Sequence, residues 1–178
     1  GEVRRVLDTL NADEENPRAF ADRLMLELLY TCSLRRSELS ALDVSDVDLS
    51  IPCIHVRPGK TKKGRILPVG KVAVDMLGKW IHALRPKTAE SALFINRKGL
   101  RVRPHYISSL AREVRIRSGI RTKATSHSFR KSSATHMLRN GAPLEAVQDL
   151  LGHVEIAATQ LYTKVYPKDI IKMHASRH

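Results

Sequence analysis

The sequence predicts an α+β domain, mainly α, with a small antiparallel β-sheet built on one hairpin. Three observations predict it. Apolar residues recur at helical spacing over most of the chain, and two short alternating runs flank a turn-rich segment near residue 60. The 178 residues, 42% of them hydrophobic types, suffice to bury one ordinary core and are too few for two full domains. No internal repeat, low-complexity tract or linker divides the chain, so residues 1–178 read as one domain.

Val3, Val6, Leu7 and Leu10 set a first helix, and Phe20, Leu24, Leu28 and Leu29 give the run from Ala19 to Tyr30 a broad apolar face. A short helix follows at Arg36 to Leu42, and the pattern breaks between Asp43 and Asp48. Ile54 and Val56 then alternate with His55 and Arg57 as a strand does. The segment from Pro58 to Gly64 has turn formers at both ends, with a second alternating run, Ile66 to Val69, behind it; together they predict a basic β-hairpin. From Val72 to Leu84 the period is helical again, with Val72, Leu77 and Trp80 inward, and Leu93-Phe94-Ile95 adds a short strand.

The helix from Pro104 to about Ser118 opens on a proline permitted in the first turn and ends before Gly119. Ser126 is a good N-cap for a helix through Asn140, which Gly141 stops. Pro143 opens the next helix, to Leu151, and a short one covers about Glu155 to Thr163. A final amphipathic piece from Pro167 carries Ile170, Ile171 and Met173.

Lys and Arg number 31 against 18 Asp and Glu, a formal net charge of +13, so the surface carries a positive field suited to a polyanion. Composition does not separate DNA from RNA. Cys32 and Cys53 lie outside any CxxC spacing in apolar stretches, which predicts buried thiols and fits a reducing cytoplasm. No apolar run approaches the roughly 20 residues that cross a bilayer. Nor does the N-terminus carry a signal pattern, so a soluble protein is expected. The chain opens at Gly1 directly on a helical pattern without an initiator methionine, as a fragment of a longer chain does.

His127 and Arg130 stand three apart on one predicted helix and project from nearly the same face, where one phosphate can meet both. An imidazole exchanges a proton near neutral pH, and a guanidinium holds two phosphate oxygens through its fork. The pair alone is equally what a capping histidine beside a solvated arginine looks like.

Its company narrows the choice. His127-Ser128-Phe129-Arg130 is followed by Ala134-Thr135-His136, Asn140-Gly141-Ala142, Leu150-Leu151-Gly152-His153 and Thr159-Gln160-Leu161-Tyr162-Thr163. This run closely resembles the second conserved box of tyrosine recombinases, the phage-integrase and Xer class. Upstream, Leu29-Tyr30 and Leu34-Arg35-Arg36-Ser37-Glu38-Leu39 resemble the first box, which supplies Arg35. Gly59-Lys60-Thr61, followed by Arg65-Ile66-Leu67-Pro68, is similar to the family hairpin with a catalytic lysine at its tip, here Lys60. The match runs from about Val3 to the C-terminus. Ser33 departs from it, since the family commonly has glycine before Leu-Arg; a serine is compatible if the backbone there needs no positive φ. The family's N-terminal core-binding domain, which clasps the other side of DNA, is absent from this chain.

The resemblance implies a mainly helical catalytic domain acting on double-stranded DNA without metal or cofactor. Tyr162 is the implied nucleophile, forming a 3′-phosphotyrosyl link that a second 5′ hydroxyl reverses. Arg35 and Arg130 clamp the nonbridging oxygens and favour the phenolate of Tyr162. Lys60 is the general acid toward the leaving 5′ oxygen, His127 assists proton transfer with Tyr162, and His153 donates a hydrogen bond to a phosphate oxygen.

Lys62 and Lys63 read as backbone contacts or solvated turn charges, Glu38 as a brace for the Arg35 region, and His136 as a packing histidine. Tyr30 reads as core, and Tyr106 and Tyr166 lack the Gly-His and Thr context of Tyr162. His127 and His153 have no paired Cys or carboxylate at ligand spacing, which argues against a metal site. The segment after Tyr162 docks on a neighbouring protomer in this family, with docking in cis as the alternative; the family assembly is a homotetramer on two DNA sites, and the isolated domain is compatible with a monomer. A cytoplasmic, nucleoid-associated enzyme is expected. The competing functions are a type IB topoisomerase-like nicking and resealing enzyme, and a DNA-binding regulator that has lost cleavage.

Overall fold

The computed structural model describes Leu7, Leu10 and residues 13–58, 64–119 and 126–151, of which residues 126–128, 131, 139 and 144 are described by their backbone alone. Helix α1 spans Pro17–Thr31 and α2 Arg36–Ala41. A 3-10 turn at Val44–Asp46 leads into a three-stranded antiparallel sheet, β1 Val47–Asp48, β2 Cys53–Val56 and β3 Arg65–Pro68, in that order. The remaining helices are α3 Lys71–Lys79, α4 Pro104–Arg117, α5 Ser126–Arg139 and α6 Leu144–Leu151. The described chain is therefore mainly helical with one small sheet, as expected.

Helix α1 begins where Asn16 accepts the Ala19 N–H at 3.1 Å and Pro17 fills a first-turn position that needs no donor. Leu24, Met25, Leu26, Leu28 and Leu29 are all buried, so nearly the whole circumference of α1 is enclosed. It packs against α2, α3, α4 and α5, which makes it the axis of the domain. Leu7 and Leu10, the described residues of the first expected helix, join the same core.

The hairpin is confirmed, with Cys53 opposite Pro68 and Val56 opposite Arg65. Its β3 end is tight: a Cβ on Gly64 would lie 2.9 Å from the Val56 carbonyl oxygen, so only glycine fits without a shift. Strand β1 escaped the sequence reading because it is two residues long. Asp48 accepts the Ser50 and Ile51 N–H groups at 2.8 and 3.0 Å, folding the turn that delivers β2.

Two expectations need correction. Leu93-Phe94-Ile95 forms no strand; it is flanked by isolated bridges, Asp43 with Ala92 and Ile95 with Arg101. Leu93 and Phe94 are apolar because they are buried: Phe94 stacks on Trp80, whose indole N–H donates to the Leu93 carbonyl at 2.8 Å. Val72 faces solvent, 60% exposed, while Ala73, Met76 and Leu77 face the core. The helix that carries Val72 also changes pitch, because α3 runs on into a π-helical turn over Trp80–Leu84.

Gly141 stops α5 with a φ of 82°. Cys32 and Cys53 are buried free thiols, and burial pushes Cys32 up to about 12. No helix among the described residues is long and apolar enough to cross a membrane.

Candidate active site

Arg35 stands at the N-cap of α2, immediately after the loop that leaves α1. Three residues on, Glu38 returns to it twice, accepting the Arg35 backbone N–H and its Nη1 at 2.7 Å each. This capping geometry fixes the start of α2 and holds the Arg35 side chain at the same time. The brace expected of Glu38 is therefore present, but it has a second client. Arg65, the first residue of β3, donates Nη1 and Nη2 to the two Glu38 oxygens at 2.8 Å each. Burial alone raises the Glu38 carboxyl, yet the bonds from Arg65 and the Arg35 backbone outweigh it and hold it at about 2.

Arg130 reaches the same place from α5. It is 8% exposed, donates Nη1 to the Ser33 carbonyl at 2.6 Å, and donates Nη2 to the Leu151 carbonyl. Arg35 Nη2 lies 3.4 Å from that same carbonyl oxygen, and Arg65 Nε donates to the Leu150 carbonyl at 3.1 Å. The carboxyl end of α6, where the helix dipole is negative, thus gathers three guanidiniums. Burial, followed by the charges of Arg35 and Arg65, lowers Arg130 to about 10.

These contacts bring together two of the six sequence-predicted site residues, Arg35 and Arg130, from positions 95 residues apart in the numbering. Glu38 bonds to Arg35 and Arg65 while Arg130 is held by backbone carbonyls, so among these four side chains positive charge is in excess. Neutral backbone carbonyls occupy much of their hydrogen-bonding capacity, and such acceptors yield to a phosphate oxygen, which offers charge as well as lone pairs. His127 lies one turn before Arg130 on α5, with its backbone alone described. Lys60, His153 and Tyr162 lie outside the described residues, as do Lys62, Lys63, Tyr166 and the elements expected after Leu151.

The rival tyrosines have structural duties. Tyr30 shares a 2.5 Å hydrogen bond with Nδ1 of His136, so both belong to the α1–α5 contact. Tyr106 donates to Asp22 at 2.7 Å and stacks beneath Arg18; burial and the Asp22 carboxylate push its phenol up to about 12, opposite to what a nucleophile needs. Among the described residues no three His, Cys, Asp or Glu side chains converge as a metal site.

The sequence reading missed Arg65 as a site residue. Its signal was present: on β3, Arg65 shares a strand face with buried Leu67 while Ile66 faces solvent. An arginine on the inward face of a strand needs a partner, and here the partner is Glu38.

The sequence model of the Phage integrase family matches residues 2–169. The chain belongs to the phage integrase family. Among curated relatives in the family, tyrosine recombinase XerD of Staphylococcus epidermidis is 39% identical over 99% of this chain, and the chain spans 60% of that protein's length. The crystal structure of XerA recombinase superposes with a TM-score of 0.78 at 30% identity, covering 97% of this chain and 61% of that one. XerH site-specific recombinase bound to its difH substrate gives a TM-score of 0.71, covering 85% of this chain and 45% of the other; at 24% identity this likeness speaks for the fold. In this chain Arg35, Arg65 and Arg130 meet where the start of α2, the first residue of β3 and α5 face the carboxyl end of α6.

Proposed function

We propose that this chain is the catalytic domain of a site-specific DNA recombinase, which cuts and rejoins strands through a 3′-phosphotyrosyl intermediate. The observation that carries the reading is the convergence of Arg35 and Arg130 on one point, in a chain of the integrase family. Two permanent cations side by side match the two nonbridging oxygens of a phosphodiester, whose charge grows in the transition state.

In this reading the Tyr162 oxygen attacks the scissile phosphorus and the bond from phosphorus to the 5′ oxygen breaks. Lys60 gives the departing oxygen its proton, and His127 assists removal of the proton from the phenol. His153 joins the two arginines by donating to a phosphate oxygen. A 5′ hydroxyl from another strand then attacks the phosphotyrosine and releases the tyrosine. The phosphoester count is unchanged at each step, so no ATP is required, and in this reading Arg35, Arg130, Lys60 and His127 supply the charge stabilisation and proton transfer without a metal.

Double-stranded DNA is the partner, supported by the +13 charge and by the DNA-bound neighbour. Four protomers on two sites form the working assembly, in a cytoplasmic, nucleoid-associated enzyme. The test is strand exchange between two labelled duplexes by the intact protein in chelator without ATP, with Tyr162→Phe beside it. Recombinant strands from the parent alone support the reading. Relaxation or resealing without exchange would move it to a nicking enzyme, and binding without cleavage to a regulator.

A further inference from the structure

Ser33 is fully buried with a φ of 51°, in the left-handed region that a residue with a Cβ rarely adopts. The condition under which serine was expected to be harmless at this position is therefore not met. Something holds the backbone in this conformation, and two contacts to one helix do so. Ser33 Oγ donates to Ser133 Oγ at 2.8 Å, and the Ser33 carbonyl accepts Arg130 Nη1 at 2.6 Å. Ser133 is itself fully buried and follows Arg130 by three residues on α5, so both contacts fall on one helix face.

We propose that Ser33 is a positioning residue for the phosphate clamp: its hydroxyl, pinned to Ser133, locks the left-handed turn that aims its carbonyl at Arg130. The inference rests on the reading of Arg130 as a phosphate-binding residue. Arg35 lies two residues beyond Ser33, so the same turn sets the start of α2. One residue thereby ties the two arginines to a fixed separation, with the two hydroxyls bonded to each other behind them. Buried hydroxyls without a partner are unfavourable, which makes the pair self-enforcing.

Ser33→Gly removes the hydroxyl while keeping, and relaxing, the positive φ, so the variant is expected to fold. Ser133→Ala breaks the same bond from the other side. In the intact protein, each substitution is expected to slow single-turnover cleavage of a nicked duplex by about 10-fold or more, the scale on which small misplacements act. Half-saturating DNA stays near the parent value, because binding is spread over many phosphate contacts. The double variant is no slower than the worse single one, and Ser33→Gly adds little in an Arg130→Lys background, where the fork is already lost. Parental cleavage by both single variants, with Arg130→Ala inactive, overturns the inference and leaves the clamp standing. Parental cleavage by Arg130→Ala overturns the clamp and the inference with it. An equal fall in cleavage and DNA affinity, tracking a lowered melting temperature, marks Ser33 as merely structural and also overturns it.

Discussion

Arg65 and Glu38 meet in two parallel hydrogen bonds of 2.8 Å across 27 residues of sequence. Glu38 also receives the Arg35 backbone and side chain, so one carboxylate joins the hairpin to the start of α2. With its carboxyl held at about 2, below the ordinary value of 4.5, Glu38 contributes stability that is complete above pH 4.5 and is lost as pH falls from there toward 2. The contribution is on the order of 2–3 kcal/mol. Glu38→Gln is expected to lower the unfolding free energy at pH 7, with the gap to the parent narrowing as pH falls toward 3. Urea melts at the two values check this; a gap of constant size contradicts it.

Arg65→Lys keeps the charge and loses the fork. Its single ammonium cannot hold both Glu38 oxygens and the Leu150 carbonyl, so Arg35 loses a fixed partner. Cleavage of a nicked duplex is expected to fall about 10-fold with DNA affinity little changed. Wild-type rates in Arg65→Lys would mean that the hairpin contact is not transmitted to the clamp.

The lowered pKa of Arg130, about 10, marks a cation whose surroundings favour it less than water does. An anion that reaches it should stabilise the fold by mass action, by about 1.4 kcal/mol at ten times its dissociation constant. A short duplex, or phosphate compared with chloride at matched ionic strength, is expected to raise the melting temperature of the parent more than that of Arg130→Gln. Equal shifts in the two proteins would place the anion elsewhere.

A methyl group on residue 64 has nowhere to go, with the Val56 oxygen 2.9 Å away. Gly64→Ala is expected to destabilise the chain by about 1–3 kcal/mol, the range for overpacked positions. It also displaces the base of the hairpin, between whose strands the proposed general acid Lys60 falls in sequence, so cleavage should slow beyond what the loss of stability explains. Thermal melts and single-turnover rates, measured below the melting transition, separate the two effects.

Most of the described helices were legible because their apolar residues repeat with one period over several turns, as in α1, or because punctuation marks them, as Pro104 and Gly141 do. Where short-range pattern and long-range packing disagree, the reading failed. Leu93-Phe94-Ile95 looks like a strand because burial alone makes a segment apolar, and Val72 looks inward until the neighbours of α3 are known. Arg35 and Arg130 were readable from motif spacing. The inward place of Arg65 on its strand was readable too, but its role, like those of Ser33 and Ser133, exists only through partners 27 to 100 residues away.

The most direct test of the account is to trap the covalent intermediate. The intact protein is incubated with duplexes nicked just beyond the cleavage position, so that the short 5′ piece diffuses away, and protein bearing DNA is digested for mass spectrometry. The account predicts a 3′-phosphate adduct on the peptide containing Tyr162, absent from Tyr162→Phe and strongly reduced in Arg35→Ala and Arg130→Ala. An adduct on another residue, or none from a protein shown to bind the duplex, would contradict it.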